Sequence, residues 1–320
     1  MDSMACAPDR PALILLLGAQ GQVGQALQQQ APAHWPLRAL GREGLDLEDP
    51  AAIRAVLNQH RPRILINAAA YTAVDQAEAE PGRCWQVNSH AVQQLAAWCA
   101  AHGSWLVHFS TDYVFDGQKN HPYCEQDTPH PLNVYGASKR AGEQAIAASG
   151  CAHVILRTSW VISAQGRNFV RTILTRAQQQ PTLQVVDDQW GAPTPADWLA
   201  AVVWHMVAML ARTPVDGVQA RQLSGLYHAT AAGATSWHGL AMQVLQQAAG
   251  QVELCCAAPA VQPVPSSAYV TAAQRPRNSR LDCSKLRQVW QIHPPPWQAG
   301  VQAVVEAWLN QHPSSSPLLP

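Results

Sequence analysis

A tyrosine and a lysine stand four residues apart in Tyr135-Gly-Ala-Ser-Lys139, where a helical pattern over residues 134–148 begins. Four residues make about one turn of a helix, so both side chains lie on one face. A free tyrosine, with a pKa of about 10, is a weak acid or base at neutral pH, and a nearby cation favours its phenolate. We therefore expect Lys139 to lower the pKa of Tyr135 towards the range of an acid–base catalyst. The alternative is an ordinary surface pair.

A hydroxyl beside this pair would hold the oxygen of a substrate. An apolar strand at 105–109 ends in Ser110-Thr111, and ligands meet an open parallel sheet at the carboxyl ends of its strands. Because successive side chains of a strand point to opposite faces, we choose Thr111 and expect Ser110 to point away from the site. Asp112 either accepts a hydrogen bond from a substrate hydroxyl or caps the turn.

The first apolar strand, at 12–17, runs into Gly18-Ala-Gln-Gly21-Gln-Val-Gly24 and then into a helix. Glycines at this spacing allow a sharp turn and a close approach of the backbone to a pyrophosphate, whose charge lies at the helix N-terminus. The order of strand, glycine loop and helix predicts a dinucleotide site, and an ordinary tight turn is the alternative. Lys139 would then also hold the ribose of the nicotinamide.

The end of the second strand indicates which dinucleotide binds. An acidic residue usually binds the ribose hydroxyls of NAD there, but this sequence has Gly41-Arg42-Glu43. Arg42 can pair with a 2′-phosphate, so we predict NADPH. NADH stays an alternative, because Glu43 is adjacent and Arg42 could be a solvated loop charge. Asp46 is a second polar candidate near the adenine.

Two tryptophans lie in predicted loops, Trp160 after the fifth strand and Trp190 before Gly191-Ala-Pro-Thr194. A flat ring in a loop can pack on a sugar or a base. The chain has 12 tryptophans, however, and core packing is the more common role of any one of them.

A strand–helix alternation through the first 160 residues positions these side chains. Strands are predicted at 12–17, 36–40, 63–67, 105–109 and 153–157, and helices at 22–30, 50–59, 83–101 and 134–148. The alternation predicts an α/β fold with a Rossmann-type doubly wound parallel sheet, covered by helices on both faces.

Beyond residue 165 the pattern loosens, which predicts a smaller, mostly carboxyl-terminal substrate-binding lobe at 166–311. Helices are predicted there at 168–179, 195–211 and 236–248, and strands at 183–186 and 225–228, whereas 257–278 has too little periodicity for an element. The dinucleotide-binding domain is predicted at 11–165, completed by segments within 195–230. Residues 1–10 and 312–320 are predicted to be flexible.

Composition excludes several classes of protein. The 320 residues are 48% apolar, and 21 basic residues balance 21 acidic ones, so no basic surface is expected for nucleic acid or an anionic membrane. The longest apolar helical stretch, 199–211, is shorter than the roughly 20 residues that span a bilayer. Eight scattered cysteines without a C-x-x-C pair, and no visible secretory signal, favour a reducing cytoplasm.

Seven motifs follow one another in an order that is found in a known family. They are Gly18-Ala-Gln-Gly21-Gln-Val-Gly24, Asn67-Ala-Ala-Ala-Tyr-Thr-Ala-Val-Asp75, Ser110-Thr-Asp-Tyr-Val-Phe-Asp116, Pro131-Leu-Asn-Val-Tyr-Gly-Ala-Ser-Lys139, Arg157-Thr-Ser-Trp160, Gly191-Ala-Pro-Thr194 and Arg275-Pro-Arg-Asn-Ser-Arg280. On these motifs the chain resembles the extended short-chain dehydrogenase/reductases and, within them, the dTDP-4-dehydrorhamnose reductases. The resemblance implies hydride transfer from NADPH or NADH to the C4 ketone of dTDP-4-dehydro-L-rhamnose, with Tyr135 protonating the oxygen.

The resemblance also implies which residues bind each ligand. Those expected at the pyrophosphate are Gly21, Gln22 and Val23. Those expected along the rest of the dinucleotide are Asp46, Leu47, Ala70, Tyr71 and Thr72. Those expected at the sugar nucleotide are Thr111, Asp112 and Trp160.

Some members of the family are magnesium-bridged dimers that use glutamates. The first position expected for such a glutamate is Ala26 here, and the last helix offers only Glu306, so we predict no metal and leave a homodimer open. The predicted partner is a small-molecule nucleotide sugar, with no nucleic acid and no membrane insertion.

Two other functions stay open on the sequence. One is a sugar-nucleotide epimerase or dehydratase of the same superfamily that recycles bound NAD. Dehydratases commonly have Asp-Glu after the threonine, whereas Thr111 is followed by Asp112-Tyr113. The other is a regulatory subunit that binds dinucleotide without turnover, which need not keep Thr111, Tyr135 and Lys139 together.

Overall fold

A parallel sheet forms the centre of the molecule. The computed structural model describes residues 13–311, so what was predicted for residues 1–12 and 312–320 lies outside the described chain. The strands are β1 (Ile14–Leu17), β2 (Leu37–Leu40), β3 (Ile64–Asn67), β4 (Trp105–Thr111), β5 (His153–Thr158), β6 (Val161–Ile162), β7 (Leu183–Val186), β8 (Trp190–Gly191), β9 (Thr194–Pro195), β10 (Gly225–His228), β11 (Thr235–Ser236) and β12 (Val261–Val264). The helices are α1 (Gln22–Gln29), α2 (Pro50–His60), α3 (Val74–Ala79), α4 (Pro81–Trp85), α5 (Ala91–His102), α6 (Val134–Ser149), α7 (Phe169–Ala177), α8 (Ala196–Leu210), α9 (Val218–Leu223), α10 (Trp237–Ala248), α11 (Ser284–Trp290) and α12 (Trp297–Gln311).

The main sheet has six parallel strands in the order β10-β5-β4-β3-β1-β2. The predicted α/β class with a doubly wound parallel sheet is confirmed. The chain order reverses at β1, which has β2 on one side and β3 on the other, and such a reversal opens a crevice at the carboxyl ends of the strands. The strand predicted at 225–228 is β10, and it forms one edge of the sheet beside β5.

Helices cover both faces of this sheet. Along β1, Ile14 and Leu16 face the cluster that contains α1 and α8, while Leu15 and Leu17 face the cluster that contains α2, α5 and α6. Strands buried on both faces are continuously apolar rather than alternating, as β1 is. The apolar stretch at 199–211 belongs to α8, a buried core helix, and the indole of Trp204 donates to the carbonyl of Leu27 at 3.0 Å.

The carboxyl-terminal lobe has its own core, formed mainly by α7, α10 and α12 with the strand pair β7–β12. The expectation that 257–278 holds no element is wrong, because β12 pairs in parallel with β7 and short 3₁₀ turns flank it. Its sequence, Val-Gln-Pro-Val, includes a proline, which fits a strand paired on one side only. The pairing with β7 therefore decides the conformation here, and local propensity does not.

The helix predicted at 83–101 is divided in the structure. It consists of α4, a π-helical turn at Gln86–His90, and α5. The π turn carries Asn88, whose side chain accepts from the backbone N–H of Tyr71 at 2.9 Å and donates to the Tyr71 carbonyl at 3.0 Å. The wide turn thus fixes the loop after β3, where part of the dinucleotide site was predicted.

Candidate active site

The glycine loop links the end of β1 to the start of α1. Gly18 has φ of +84°, and a β-carbon on Gly24 would lie 2.0 Å from the Gly18 carbonyl oxygen, so both positions exclude a side chain. Gly21 is the N-cap of α1, and no side chain caps the helix there. The free N–H groups and the positive end of the helix dipole are a suitable cradle for a pyrophosphate.

A cavity of about 410 Å³ opens above this loop, at the reversal of the sheet. It is lined by twelve of the thirteen residues predicted to bind the dinucleotide: Gly18, Gly21, Gln22, Val23, Arg42, Asp46, Leu47, Ala70, Tyr71, Thr72, Tyr135 and Lys139. Gly24 does not line the cavity but packs against the loop backbone beneath it. The residues present therefore fit a dinucleotide, with the nicotinamide end at Tyr135.

Charged side chains gather at the opposite end of the cavity. The guanidinium of Arg42 donates to Glu48 at 2.7 Å and lies 3.7 Å from Asp46. Arg83, which the sequence analysis missed, contacts the same Glu48 carboxylate at 2.9 Å and Glu80 at 3.2 Å. Its guanidinium lowers the pKa of Glu48 below the ordinary value, so this carboxylate bridges two arginines as an anion.

Tyr135 is half-buried on α6, and its phenol faces the hydroxyl of Thr111, which ends β4. The Thr111 hydroxyl donates to Asp112 Oδ1 at 2.9 Å and accepts from the backbone N–H of Tyr113 at 3.1 Å. These two hydrogen bonds hold the Thr111 hydroxyl in place beside the phenol. Ser110 donates to Glu143 at 2.5 Å and also lines the dinucleotide cavity, so its orientation away from the site stays a prediction.

The expected direction of the Tyr135 pKa is wrong. Burial raises that pKa above the ordinary value, the neighbouring Thr111 hydroxyl only partly offsets this, and the charge of Asp112 raises it further. Lys139 does not counteract the shift, and its amine instead donates to the carbonyl of Phe109 at 2.6 Å. Tyr135 is therefore a protonated phenol at neutral pH, which suits an acid that donates a proton.

Burial also shifts two neighbours of this phenol. It lowers the pKa of Lys139 to about 8, although the charge of Glu143 on the same helix opposes the change. It raises the pKa of Asp112 to about 6, although the hydroxyls of Ser279 and Thr111 oppose the change. Asp112 is buried in the 3₁₀ turn after β4, and its Oδ2 makes no hydrogen bond of ordinary geometry. Both groups therefore change charge close to neutral pH.

Glu143 is neutralised by a buried ion pair below the site. Arg157 on β5 donates to both of its carboxylate oxygens, at 2.8 and 2.6 Å. This bidentate pair joins α6 to the sheet one turn beyond Lys139, and Ser110 is the third partner of the carboxylate. The pair thus fixes the height of α6, and with it that of Tyr135 and Lys139, above the end of β4.

The two loop tryptophans, Trp160 and Trp190, lie in different surroundings. Trp160 has φ of +47°, an unusual conformation for a bulky side chain, and its ring stacks on Trp237 at 3.5 Å between centroids. It packs against Gly191, where a β-carbon would lie 2.5 Å from the ring. It does not line the dinucleotide cavity, whereas Trp190 is 46% exposed in a second cavity.

This second cavity, of about 980 Å³, lies where the carboxyl-terminal lobe meets the turn after β4. Its cations are Lys119, Arg275, Arg277 and Arg280, and its aromatic side chains are Trp190 and Tyr269. Arg275 binds both carboxylate oxygens of Asp75, at 2.6 and 3.1 Å, and lies next to the phenol of Tyr113. The Tyr113 ring meets that of Tyr135 edge-on at 5.7 Å, which connects this cavity to the phenol.

Gln22 connects the glycine loop to the other lobe. Its side-chain oxygen accepts from Ser163 and from Asn168, each at 2.9 Å. The residues of the site that the sequence analysis missed are Asn67, Arg83, His108, Tyr113 and Arg275. The motifs contain Asn67, Tyr113 and Arg275, so membership of a motif was the available signal for these three.

In residues 13–311, no group of three or more His, Cys, Asp or Glu side chains is arranged to hold a metal ion. The described helices are all too short or too polar to cross a bilayer. Seven cysteines lie in the same range, and all are free thiols.

The chain is similar to known proteins over most of its length. The family model described as RmlD substrate binding domain matches residues 12–310. A dTDP-4-dehydrorhamnose reductase of Burkholderia thailandensis is 40% identical over 301 residues, which are 93% of this chain and 99% of the relative. One of Shigella flexneri is 39% identical over 296 residues, which are 91% of this chain and 96% of the relative.

Solved structures agree with these sequence relatives. The crystal structure of dTDP-4-dehydrorhamnose reductase from Bacillus anthracis in complex with NADP has a TM-score of 0.82 at 32% identity, covering 92% of this chain and 99% of that one. A UDP-glucose 4-epimerase of Thermus thermophilus has a TM-score of 0.74 at 19% identity, covering 92% of this chain and 98% of that one, and it shows the shared fold alone.

The six-stranded parallel sheet and its similarity to these solved structures agree with the sequence relatives. They place the chain in the class of extended short-chain dehydrogenase/reductases. Within that class, the chain belongs to the dTDP-4-dehydrorhamnose reductase family.

Proposed function

We propose that this protein reduces the C4 ketone of dTDP-4-dehydro-L-rhamnose to give dTDP-L-rhamnose, using NADPH or NADH. The observation that carries this proposal is the position of Tyr135 and Lys139 on the wall of the cavity formed by the glycine loop, with the Tyr135 phenol facing the Thr111 hydroxyl at the end of β4. The name shared by the relatives supports the substrate. The nicotinamide dinucleotide supplies the hydride when bound.

The chain's own residues supply the proton and the geometry. Tyr135 stays protonated at neutral pH, so its phenol can donate a proton to the carbonyl oxygen as that oxygen gains charge. The hydroxyl of Thr111, held by Asp112 and by the Tyr113 backbone, keeps the phenol at the end of the strand. Lys139 places a positive charge at the cavity wall below its pKa of about 8.

The assignment of ligands to residues is likewise proposed. The dinucleotide contacts are Gly18, Gly21, Gln22, Val23, Gly24, Arg42, Asp46, Leu47, Ala70, Tyr71, Thr72, Tyr135 and Lys139, and the sugar-nucleotide contacts are Thr111, Asp112 and Trp160. The arginines and exposed aromatic rings of the second cavity are suited to a nucleoside diphosphate, through charge and stacking. Trp160 would act from its stacked position on Trp237, with its φ of +47° as the sign of a functional constraint.

The predicted domain organisation is part of the proposal. We propose that the described part of the dinucleotide-binding domain, 13–165, is completed by segments within 195–230, and that 166–311 form most of the substrate-binding lobe. The cytoplasm is the proposed location, because free thiols are typical of a reducing compartment. No nucleic-acid partner is proposed for a chain whose charges balance.

The test is an assay of cofactor oxidation with dTDP-4-dehydro-L-rhamnose generated in situ. We expect reduced nicotinamide to be consumed in proportion to ketosugar, with dTDP-L-rhamnose identified by mass and NMR. A purified protein that retained NAD and interconverted nucleotide sugars without net oxidation of NADPH would be an epimerase. A protein that bound NADPH and consumed none would be a regulatory subunit, and either result would overturn the proposal.

A further inference from the structure

Three buried polar side chains form a row beneath the cavity: Asn67 on β3, His108 on β4 and Lys139 on α6. Asn67 and His108 are paired in the register of the two strands. The nitrogen Nδ1 of His108 lies 3.1 Å from Asn67 Nδ2, and its Nε2 lies 3.4 Å from Lys139 Nζ. His108 has no place in the chemistry described above, although it lies directly beside the amine of Lys139.

The backbone fixes which end of the Asn67 amide faces the histidine. The oxygen Oδ1 of Asn67 accepts the backbone N–H of Ala69 at 3.1 Å, in the loop that lines the cavity. The amide nitrogen is therefore the group that faces His108, and it can only donate. Consequently His108 Nδ1 must act as the acceptor.

This contact determines the tautomer of His108. Burial, with the charge of Lys139 as a second cause, lowers the pKa of His108 well below its ordinary value, so the ring is neutral and carries one proton. With Nδ1 accepting, that proton lies on Nε2, facing Lys139. An ammonium has only donors. A charged Lys139 would therefore direct an N–H group at the Nε2–H group of His108, and no hydrogen bond could form between two donors. An uncharged amine has a lone pair that can accept the proton of Nε2–H.

We propose that His108 is a positioning residue for Lys139, held by Asn67 as the Nε2–H tautomer so that it favours the amine over the ammonium. This role rests on the proposed function, in which Lys139 lies at the nicotinamide end of the cavity. It makes the charge of Lys139 adjustable near neutral pH, whereas an ordinary lysine stays charged.

The other groups around Lys139 act in the opposite direction or are neutralised. Glu143 on the same helix favours the ammonium, but Arg157 holds both of its oxygens. Cys84 on α4 would favour the ammonium only as a thiolate, and burial raises the pKa of that thiol. The backbone carbonyl of Phe109 accepts a hydrogen from either form of the nitrogen. His108 is thus the side chain beside Nζ that disfavours the ammonium form of Lys139.

The experiment uses NMR on the full chain without ligand, in which the three lysines, 119, 139 and 285, are labelled at Cε. Loss of a signal in Lys139→Met assigns the resonance of Lys139. We expect its titration midpoint at about 8 in the unaltered protein and about one pH unit higher in His108→Phe, which removes the opposing N–H. His153→Phe, which removes a half-buried histidine from the neighbouring strand β5, should leave the midpoint unchanged.

A second measurement observes the tautomer of His108 directly. ¹⁵N NMR of the histidine rings should show His108 as the Nε2–H tautomer, and Asn67→Asp should convert it to Nδ1–H, because a carboxylate accepts where the amide donated. An Nδ1–H ring in the unaltered protein, or an unmoved Lys139 midpoint in a folded His108→Phe, would overturn the proposal. Failure of ketosugar reduction alone would overturn the proposed function and leave these NMR results standing.

Discussion

The guanidinium of Arg42 lies 2.7 Å from a carboxylate oxygen of Glu48, inside the end of the cavity where a cofactor 2′-phosphate would lie. Arg83 contacts the same carboxylate at 2.9 Å. The Glu48 carboxylate thus forms ion pairs with Arg42 and Arg83, the two cations that would otherwise bind a phosphate. We infer that this carboxylate weakens the preference for NADPH that Arg42 confers.

Glu48→Gln should therefore lower KM for NADPH relative to NADH by about fivefold, which corresponds to about 1 kcal/mol for an exposed ion pair. Arg42→Ala should shift the ratio in the opposite direction. Glu43→Gln is the matched control, since it removes the same charge from the neighbouring residue, whose carboxylate contacts Gln20. Steady-state KM values for both cofactors at low salt measure the effect, and equal ratios in Glu48→Gln and Glu43→Gln would refute it.

Replacement of the phenol that donates the proton should affect turnover and not binding. Tyr135→Phe keeps the ring and its edge contact with Tyr113 while removing the hydroxyl, so we expect kcat to fall by about 10²–10⁴ and NADPH to bind nearly unchanged. Tyr227→Phe removes a buried hydroxyl that donates to the Leu223 carbonyl, and it should retain turnover. Fluorescence titration with NADPH and steady-state kinetics separate the two effects. Normal turnover in Tyr135→Phe would remove this residue from the mechanism.

The pH dependence should reflect two buried groups. Below pH about 6, Asp112 gains a proton and loses the charge that holds the Thr111 hydroxyl. Above pH about 8, Lys139 loses its charge. We expect kcat/KM to fall on both sides of this interval, with the acid limb absent in Asp112→Asn. The limits of the test, about pH 5 and about pH 9, lie roughly one unit outside the two pKa values. A profile for the unaltered protein that stayed level between these limits would contradict both assignments.

Asp112 should also lower the stability of the fold at neutral pH. Its pKa is raised from 3.8 to about 6 in the folded protein, so the native state binds the proton more tightly than the unfolded chain does. Stability is then full below pH about 4 and is lost as pH rises through about 6. Asp112→Asn should raise the free energy of unfolding by about 1–3 kcal/mol at pH 7 and by little at pH 4. Urea unfolding at the two pH values measures this, and an equal gain at both would point to a cause other than charge.

Much of the fold could be predicted because its strands are buried on both faces and its turns use glycine. The continuous apolar run before Gly18 and the loop up to Gly24 mark β1 and α1 directly, and chain order alone places them at the crevice. The positions of Thr111 and Tyr135 could also be predicted, since Thr111 ends a strand and Tyr135 lies at the start of a helix.

The rest depends on contacts between distant segments. The pKa of Tyr135 rises through burial, and sequence spacing to Lys139 does not reveal burial. His108 acquires its tautomer from Asn67 on another strand, 41 residues away. Strand β12 exists because β7 is available to pair with it, although its own residues favour no element. In each case a tertiary partner decides what the local sequence leaves open.

Hydride transfer to the ketone is the central claim, and isotope transfer tests it most directly. The protein is supplied with NADPH that carries deuterium at the transferable position, together with dTDP-4-dehydro-L-rhamnose, and the product is analysed by NMR. We predict one deuterium at C4 of the rhamnosyl product for each cofactor oxidised. Product without deuterium at C4, or label retained in the cofactor while the sugar changes, would contradict the account.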